Sequence, residues 1–309
     1  MMTGKAPTLV ANPRSPLDLR RRFSTMEECR DFLFELRFPD GWLCSCGGQT
    51  FWWRSGTKIR CRTCSRDRSV LAGTIFQKTR TPLPVWFKAA WGIATAAGGI
   101  SALQLQRDLG LGSYETAWTM LHRYRRAMTS SNHLLLAGTV EVSDTLIGGV
   151  ARRAKPDDAR GVGVLVAIAS ERDPAGGGRV RLAVVPELGA ATLSSFVVEA
   201  IAQGSSVATN DEAGYQGLGA LGFHHQVSGE AAATAALHTV RQSVDLLQSW
   251  LIATHQGRAE AKHLQSYLDE FAFRFNQALP LNDGLAFRGL LEGAVAHDPV
   301  TYYDVTLGA

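Results

Sequence analysis

Residues 138–149 read "GTVEVSDTLIGG". Apolar and polar residues alternate along the β-branched run, and a double glycine closes it, the pattern of a half-buried strand entering a turn. Three more such runs follow downstream, "VGVLVAIAS", "RVRLAVV" and "SSVATN", with a helical stretch around 191–202 before the last. Two longer helical stretches come next, near 235–253 and 260–277. In the first of these Leu237, Val240, Val244, Leu247 and Leu251 form an apolar stripe, while Arg241, Asp245 and Gln248 share another face. Strands followed by flanking helices predict an α/β domain with a mixed sheet over residues 136–280.

Upstream, "ISALQLQRDLGLGSYETAWTMLHRYRRAM" divides into a helix, a glycine-containing turn and a second helix, so residues 80–130 are expected to hold a helix-turn-helix. On its second helix Ala117, Leu121, Tyr124 and Met128 recur at helical spacing as the buried stripe. The side chains expected to reach DNA are Thr116, Thr119, His122, Arg123 and Arg126. Two packed helices with a glycine turn also occur in many cores, so the pattern gains weight from its neighbourhood. Residues 1–130 hold 20 Lys and Arg against 9 Asp and Glu, a balance of +11, whereas residues 131–309 hold 12 against 19, a balance of −7. A basic half suits a phosphate backbone and an acidic half does not.

Further upstream, "GWLCSCGGQTFWWRSGTKIRCRTCSRDRSVLAGTIF" sets short aromatic and β-branched runs between glycine turns, a small ribbon over 41–76 too short to stabilise itself without a staple. Cys44, Cys46, Cys61 and Cys64 supply that staple as ligands of a structural Zn²⁺. Cys61 and Cys64 have the C-x2-C spacing that turns two sulfurs onto one ion. Cys44 and Cys46 are one residue closer, and a C-x-C segment that stays extended lacks the usual knuckle turn, so a three-thiolate or metal-free ribbon is the alternative. Arg54, Lys58, Arg60, Arg62, Arg66 and Arg68 beside Trp52 and Trp53 point to DNA rather than to a solvated face. Before the ribbon, "STMEECRDFLFEL" opens with a cap signal and continues as a helix that buries Cys29, within an N-terminal helical segment, residues 1–40. Residues 281–309 form a tail without a readable motif. No apolar run is long enough to span a bilayer and the first residues lack a secretory pattern, so a cytoplasmic, nucleoid-associated protein is expected, with no membrane partner.

Together "TPLPVWFKAAW", the helix-turn-helix stretch, "VEVSDTLIGG", "ATLSSFV", "GYQGLGALGF", "THQG" and "HLQSYLDEFAFRFN" resemble the bacterial insertion-sequence DDE transposases that carry an N-terminal zinc ribbon. The resemblance implies an RNase H-like catalytic domain whose carboxylates hold two Mg²⁺ for strand cleavage and transfer. It also implies that the ribbon and helix-turn-helix grip double-stranded DNA at a terminal inverted repeat.

The resemblance places the first metal-binding carboxylate on Ser143 and the second on Asn210, counted from Gly214 and Tyr215. A third metal-site residue falls on Arg241 and a lysine on Gln248. None of these four is a metal-binding carboxylate or that lysine. Asp144, Asp211 and Asp245 are the nearest substitutes, but a shift of one residue on a strand sends a side chain to the opposite face, so rescue requires an altered register. Ser143, Asn210 and Arg241 offer no negative charge to two divalent ions. The expectation is therefore a transposase-derived DNA-binding protein, catalytically inactive and without Mg²⁺, that uses its RNase H-like domain for homo-oligomer or partner contact. The alternative is an active transposase working through the displaced carboxylates.

Overall fold

The computed structural model describes residues 11–96, 98–131, 134–148, 163–173, 178–210, 213–228, 237–255, 261–277 and 283–307. The chain divides into two compact units, Met1–Ser131 with Leu281–Ala309, and Asn132–Pro280.

The first unit is mostly helical. Helix α1 (Pro16–Arg22) starts where Ser15 accepts the Asp18 N–H and proline occupies the first turn. Helix α2 (Met26–Arg37) starts at a capping box, Thr25 with Glu28. A three-stranded antiparallel sheet follows, β1 (Phe51–Trp53), β2 (Lys58–Cys61) and β3 (Asp67–Ser69), in the order β1-β2-β3. Its inner face joins Ile59, Cys61 and Val70 to Trp42, Phe51 and Trp53, packed on Phe34 and Phe38 from α2 and the turn after it.

Helix α3 (Leu83–Thr95) is almost wholly apolar and buries Leu83, Trp86, Phe87, Trp91 and Ile93. Helix α4 (Ala102–Leu109) is capped by Ser101 and stopped by Gly110 at φ +63°, a left-handed position that favours glycine. Helix α5 (Tyr114–Ser131) follows, its first turn capped by the Ser113 hydroxyl.

The second unit is a five-stranded mixed sheet between helices. Its strands are β4 (Thr139–Ile147), β5 (Val164–Glu171), β6 (Val180–Val184), β7 (Ser206–Thr209) and β8 (His224–Val227), in the order β6-β5-β4-β7-β8. Strands β5 and β6 add antiparallel on one side of β4, and β7 and β8 add parallel on the other. Pairing of β4 with β5 runs unbroken from Val140↔Glu171 to Ile147↔Val164, without a bulge. One face, Val140, Val142, Ala167, Ala169 and Val207, packs on helix α6 (Ala190–Ala200) and Tyr215. The other, Ile147, Val166, Ile168 and Ala208, packs on helices α7 (His238–His255) and α8 (Leu264–Gln277).

Helices α9 (Asp283–Ala296) and α10 (Tyr302–Leu307) return to the first unit. Phe287 of α9 sits among Phe23, Phe32, Phe87 and Trp91, with ring centroids 5.8–6.3 Å away. The motif-free tail therefore supplies a central residue of this unit's core. Among the described residues no helix is long and apolar enough to cross a membrane.

Candidate functional site

Strand alternation decides which side chains of β4 share a face. Glu141 and Ile147 point to α7: the Glu141 carboxylate accepts the Val240 N–H at 2.9 Å, and Ile147 belongs to the α7 cluster. Ser143 lies between them in phase. Asp144 is out of phase, on the α6 face with Val140 and Val142, and accepts a 3.5 Å contact from the Tyr215 hydroxyl.

The parallel register of β4 with β7, Thr139↔Ser206 through Glu141↔Ala208, brings Asn210 level with Ser143 when continued by two residues. Ala208 faces α7 and α8, so Asn210 falls on that side as well. The Asn210 Oδ1 is shielded from solvent and has no hydrogen-bond partner among the described residues. Leu237, just before α7, and Val240, Leu247 and Leu251 on it are buried, with Val244 half-buried, and Arg241, Asp245 and Gln248 are exposed. Asp211 lies outside the described residues.

Glu141 is fully buried, and its charge is met by Arg172 at 2.8 Å. This pair is absent from the expectations above, although a glutamate on the buried phase of a strand signals that a counter-charge must exist. It anchors the start of α7 to β4 beside Ser143.

In the first unit Cys44, Cys46, Cys61 and Cys64 bring their sulfurs within 4.8 Å of one another. The Cys44 and Cys64 sulfurs are 3.7 Å apart and those of Cys46 and Cys61 are 3.6 Å apart. Four thiolates at about 2.3 Å from a tetrahedral zinc stand roughly 3.8 Å from each other, so this set fits the ion. Among the described residues no other group of three or more His, Cys, Asp or Glu could hold a metal.

The short C-x-C spacing is accommodated by a turn rather than by extended chain. The Gly47 N–H donates to Cys44 O, the Cys44 N–H donates to Gly48 O, and Gly47 sits at φ +84°. Backbone N–H groups of Cys64 and Thr63 donate to the Cys61 sulfur and lower its thiol to about 6 despite burial. The Cys46 N–H likewise lowers Cys44. At Cys46 the Gly48 N–H lowers the thiol, but the sulfurs of Cys64, Cys44 and Cys61, with burial, outweigh it and push the value up to about 12. A cation at the centre would relieve that crowding.

The cationic side chains are distributed unevenly. Trp52, Arg60 and Asp67 are cross-strand neighbours on the outer face of the small sheet. Arg60 makes a bidentate pair with Asp67 at 2.6 and 2.8 Å, and Arg54 stands 3.9 Å from the same carboxylate. Lys58 is exposed, and Arg62 lies over the Trp52 ring at 5.8 Å. Arg66 is exposed, and Arg68 donates to the Ser45 hydroxyl beside the thiolates.

On α5 only the first turns face solvent. Thr116 is exposed and Thr119 half-buried. His122 is 2 % exposed, 4.4 Å from the Trp118 ring and bonded to Arg125. Arg123 donates to Ile75 O, and burial lowers its pKa. Arg126 is half-buried near Asp304, whose carboxyl is held low first by Thr301 and more weakly by Arg126.

Residues 135–276 match the family model described as the ISXO2-like transposase domain. No curated protein matches the chain. The resemblance to insertion-sequence transposases therefore rests on the unit that contains β4, β7 and α7.

Proposed function

Starting from the transposase domain matched across residues 135–276, we propose that this chain is a transposase-derived DNA-binding protein that does not cut DNA. The observation that carries the reading is the face shared by Ser143 and Asn210. Ser143 on β4 and Asn210 just past the end of the parallel strand β7 are both neutral, and the carboxylate next to Ser143 in the chain, Asp144, belongs to the opposite face of an unbulged strand. Glu141, the one acid on the Ser143 face of β4, is already neutralised by Arg172. Two Mg²⁺ would bring four positive charges to a face where Ser143 and Asn210 offer none in return and the Glu141 charge is already met.

The strand order, antiparallel pairings through β6-β5-β4 on one side and the parallel strands β7 and β8 on the other, supports an RNase H-like reading of the unit. The thiolate set supports a structural zinc ribbon, whose ion would hold β2 and the Cys44 turn together. Duplex recognition falls to the helix-turn-helix of α4 and α5, through the first turns of α5, where Thr116 is exposed and Thr119 half-buried, since a recognition helix reads bases with its N-terminal residues. Exposed Leu246 and Ile252 on α7 support use of the α/β unit for assembly with a second copy or a partner.

Calorimetric titration of the full chain with Mg²⁺ and Mn²⁺, beside the Ser143→Asp, Asn210→Asp double variant, tests the central point. The expected result is no uptake by the natural protein and recovery by the variant. Uptake by the natural protein that disappears in Asp144→Ala or Asp211→Ala would restore the strand-transfer enzyme.

A further inference from the structure

The outer face of the three-stranded sheet has a chemistry that a duplex does not fully use. Along β1 the side chains alternate: Phe51 and Trp53 enter the aromatic core against α2, and Trp52, 40 % exposed, faces out. Around it stand Arg60 as its cross-strand partner, Arg62 at 5.8 Å over the ring, and Arg54 and Lys58 near the same edge. Asp67 is the counter-charge on this face, and Arg60 holds it in a bidentate pair.

We propose that this face binds an unpaired DNA strand, with Trp52 stacking on a base and the surrounding cations following the phosphates. This rests on the DNA-binding reading above and names the form of DNA that this part of the first unit takes. Four cations against one paired carboxylate favour a polyanion. The exposed indole selects the form: a duplex hides its base faces and offers Trp52 only sugar and groove edges, whereas a single strand presents a base face to the ring. An antiparallel sheet that presents an exposed aromatic on its edge strand, with cations beside it, lets stacking and phosphate contact occur together. The opposite face is committed to Phe34, Phe38 and Trp42, so Trp52 is not needed to hold the sheet.

The test is fluorescence anisotropy on the zinc-loaded full chain, with a labelled oligothymidylate of about 12 nucleotides and a mixed-sequence duplex of equal length. Trp52→Leu keeps apolar bulk without an aromatic face, and Trp52→Phe keeps a smaller one. Zinc content confirms that each variant retains the ribbon. The proposal predicts that Trp52→Leu weakens oligothymidylate binding about 10- to 100-fold, that Trp52→Phe retains most of it, and that duplex affinity moves less than about twofold. Arg54→Ala should instead lower the salt dependence of single-strand binding by roughly 0.7 in slope. Equal small losses on both ligands in Trp52→Leu would overturn the single-strand assignment while leaving DNA binding in place. Binding to neither ligand by the natural protein would overturn both.

Discussion

Gly48 has no side chain because there is no room for one: a Cβ there would lie 2.6 Å from the Thr63 Oγ1 and 2.9 Å from the Cys61 sulfur. Gly48→Ala must therefore push the two cysteine turns apart, and zinc affinity should fall at least about tenfold, the size of effect seen when the support of a metal ligand is disturbed. Competition against a chromophoric chelator measures this, and unchanged affinity would remove the close approach as a constraint. A second residue-scale test concerns the buried charge of Glu141. Replacing Arg172 with Met leaves a carboxylate at 0 % exposure with the Val240 N–H as its remaining partner among the described residues. Orphaning a buried charge costs about 3–5 kcal/mol, and the lower end applies because Arg172 itself is half in water. Glu141→Gln, which keeps an acceptor for Val240, should cost less, and the order of the two urea midpoints decides the point.

At the scale of elements, the edge of β6 is closed by side chains instead of by another strand. Asn276 and Gln265 of α8 accept the N–H groups of Val180 and Val184 at 2.8 Å and donate to the carbonyls of Val180 and Leu182 at 3.1 and 3.3 Å. Two amides on a helix thus imitate the missing strand and hide an edge that could pair with another chain. Replacing both by Ala should cost about 1–3 kcal/mol for each orphaned group and raise concentration-dependent aggregation, read by light scattering.

The β5–β6 hairpin carries a pH signature. Burial pushes the Glu171 carboxyl up, but Arg179, with the Ala137 N–H, outweighs it and holds it below the ordinary value. A carboxylate lowered in the folded state stabilises fully above its unfolded value, about 4.3, and loses that contribution as pH falls through the folded value. The stability gap between the natural protein and Glu171→Gln should be constant above about pH 5 and shrink below it. A gap that grew on acidification would contradict the assignment.

Across the whole molecule the C-terminal segment belongs to the unit that begins the chain. Phe287 fills the centre of the Phe23, Phe32, Phe87 and Trp91 cluster, and Gly293 lets α9 approach so closely that a Cβ would stand 2.2 Å from Ala127 O on α5. Phe287→Ala should destabilise the first unit by about 3–5 kcal/mol and leave the unfolding of residues 132–280 unchanged. Differential scanning calorimetry should show one of two transitions move, and a shift of both together would mean that the units unfold as one. The same closure bears on α5: Tyr302 of α10 stands 6.0 Å from Trp118, on the helix whose middle turns bury His122 and Arg125.

The β-branched runs, the buried stripe of α7, the capping box of α2 and the gathering of four cysteines were legible in the residues, because each is a matter of local spacing and helical or strand period. Periodicity also placed Ser143 and Asp144 on opposite faces, and unbroken pairing with β5 keeps them there. The turn at Cys44–Gly47 was not legible, since a left-handed glycine depends on backbone angles that spacing does not specify. Nor was the burial of His122, nor the parallel pairing of β7 with β4 that carries Asn210 toward Ser143. An amphipathic period names the faces of a helix but not how many of them neighbours will cover, and the neighbours of α5 include helices more than 150 residues away in the chain. Contacts at that separation follow from which apolar surfaces find each other on collapse, and no stretch of sequence read alone contains both partners.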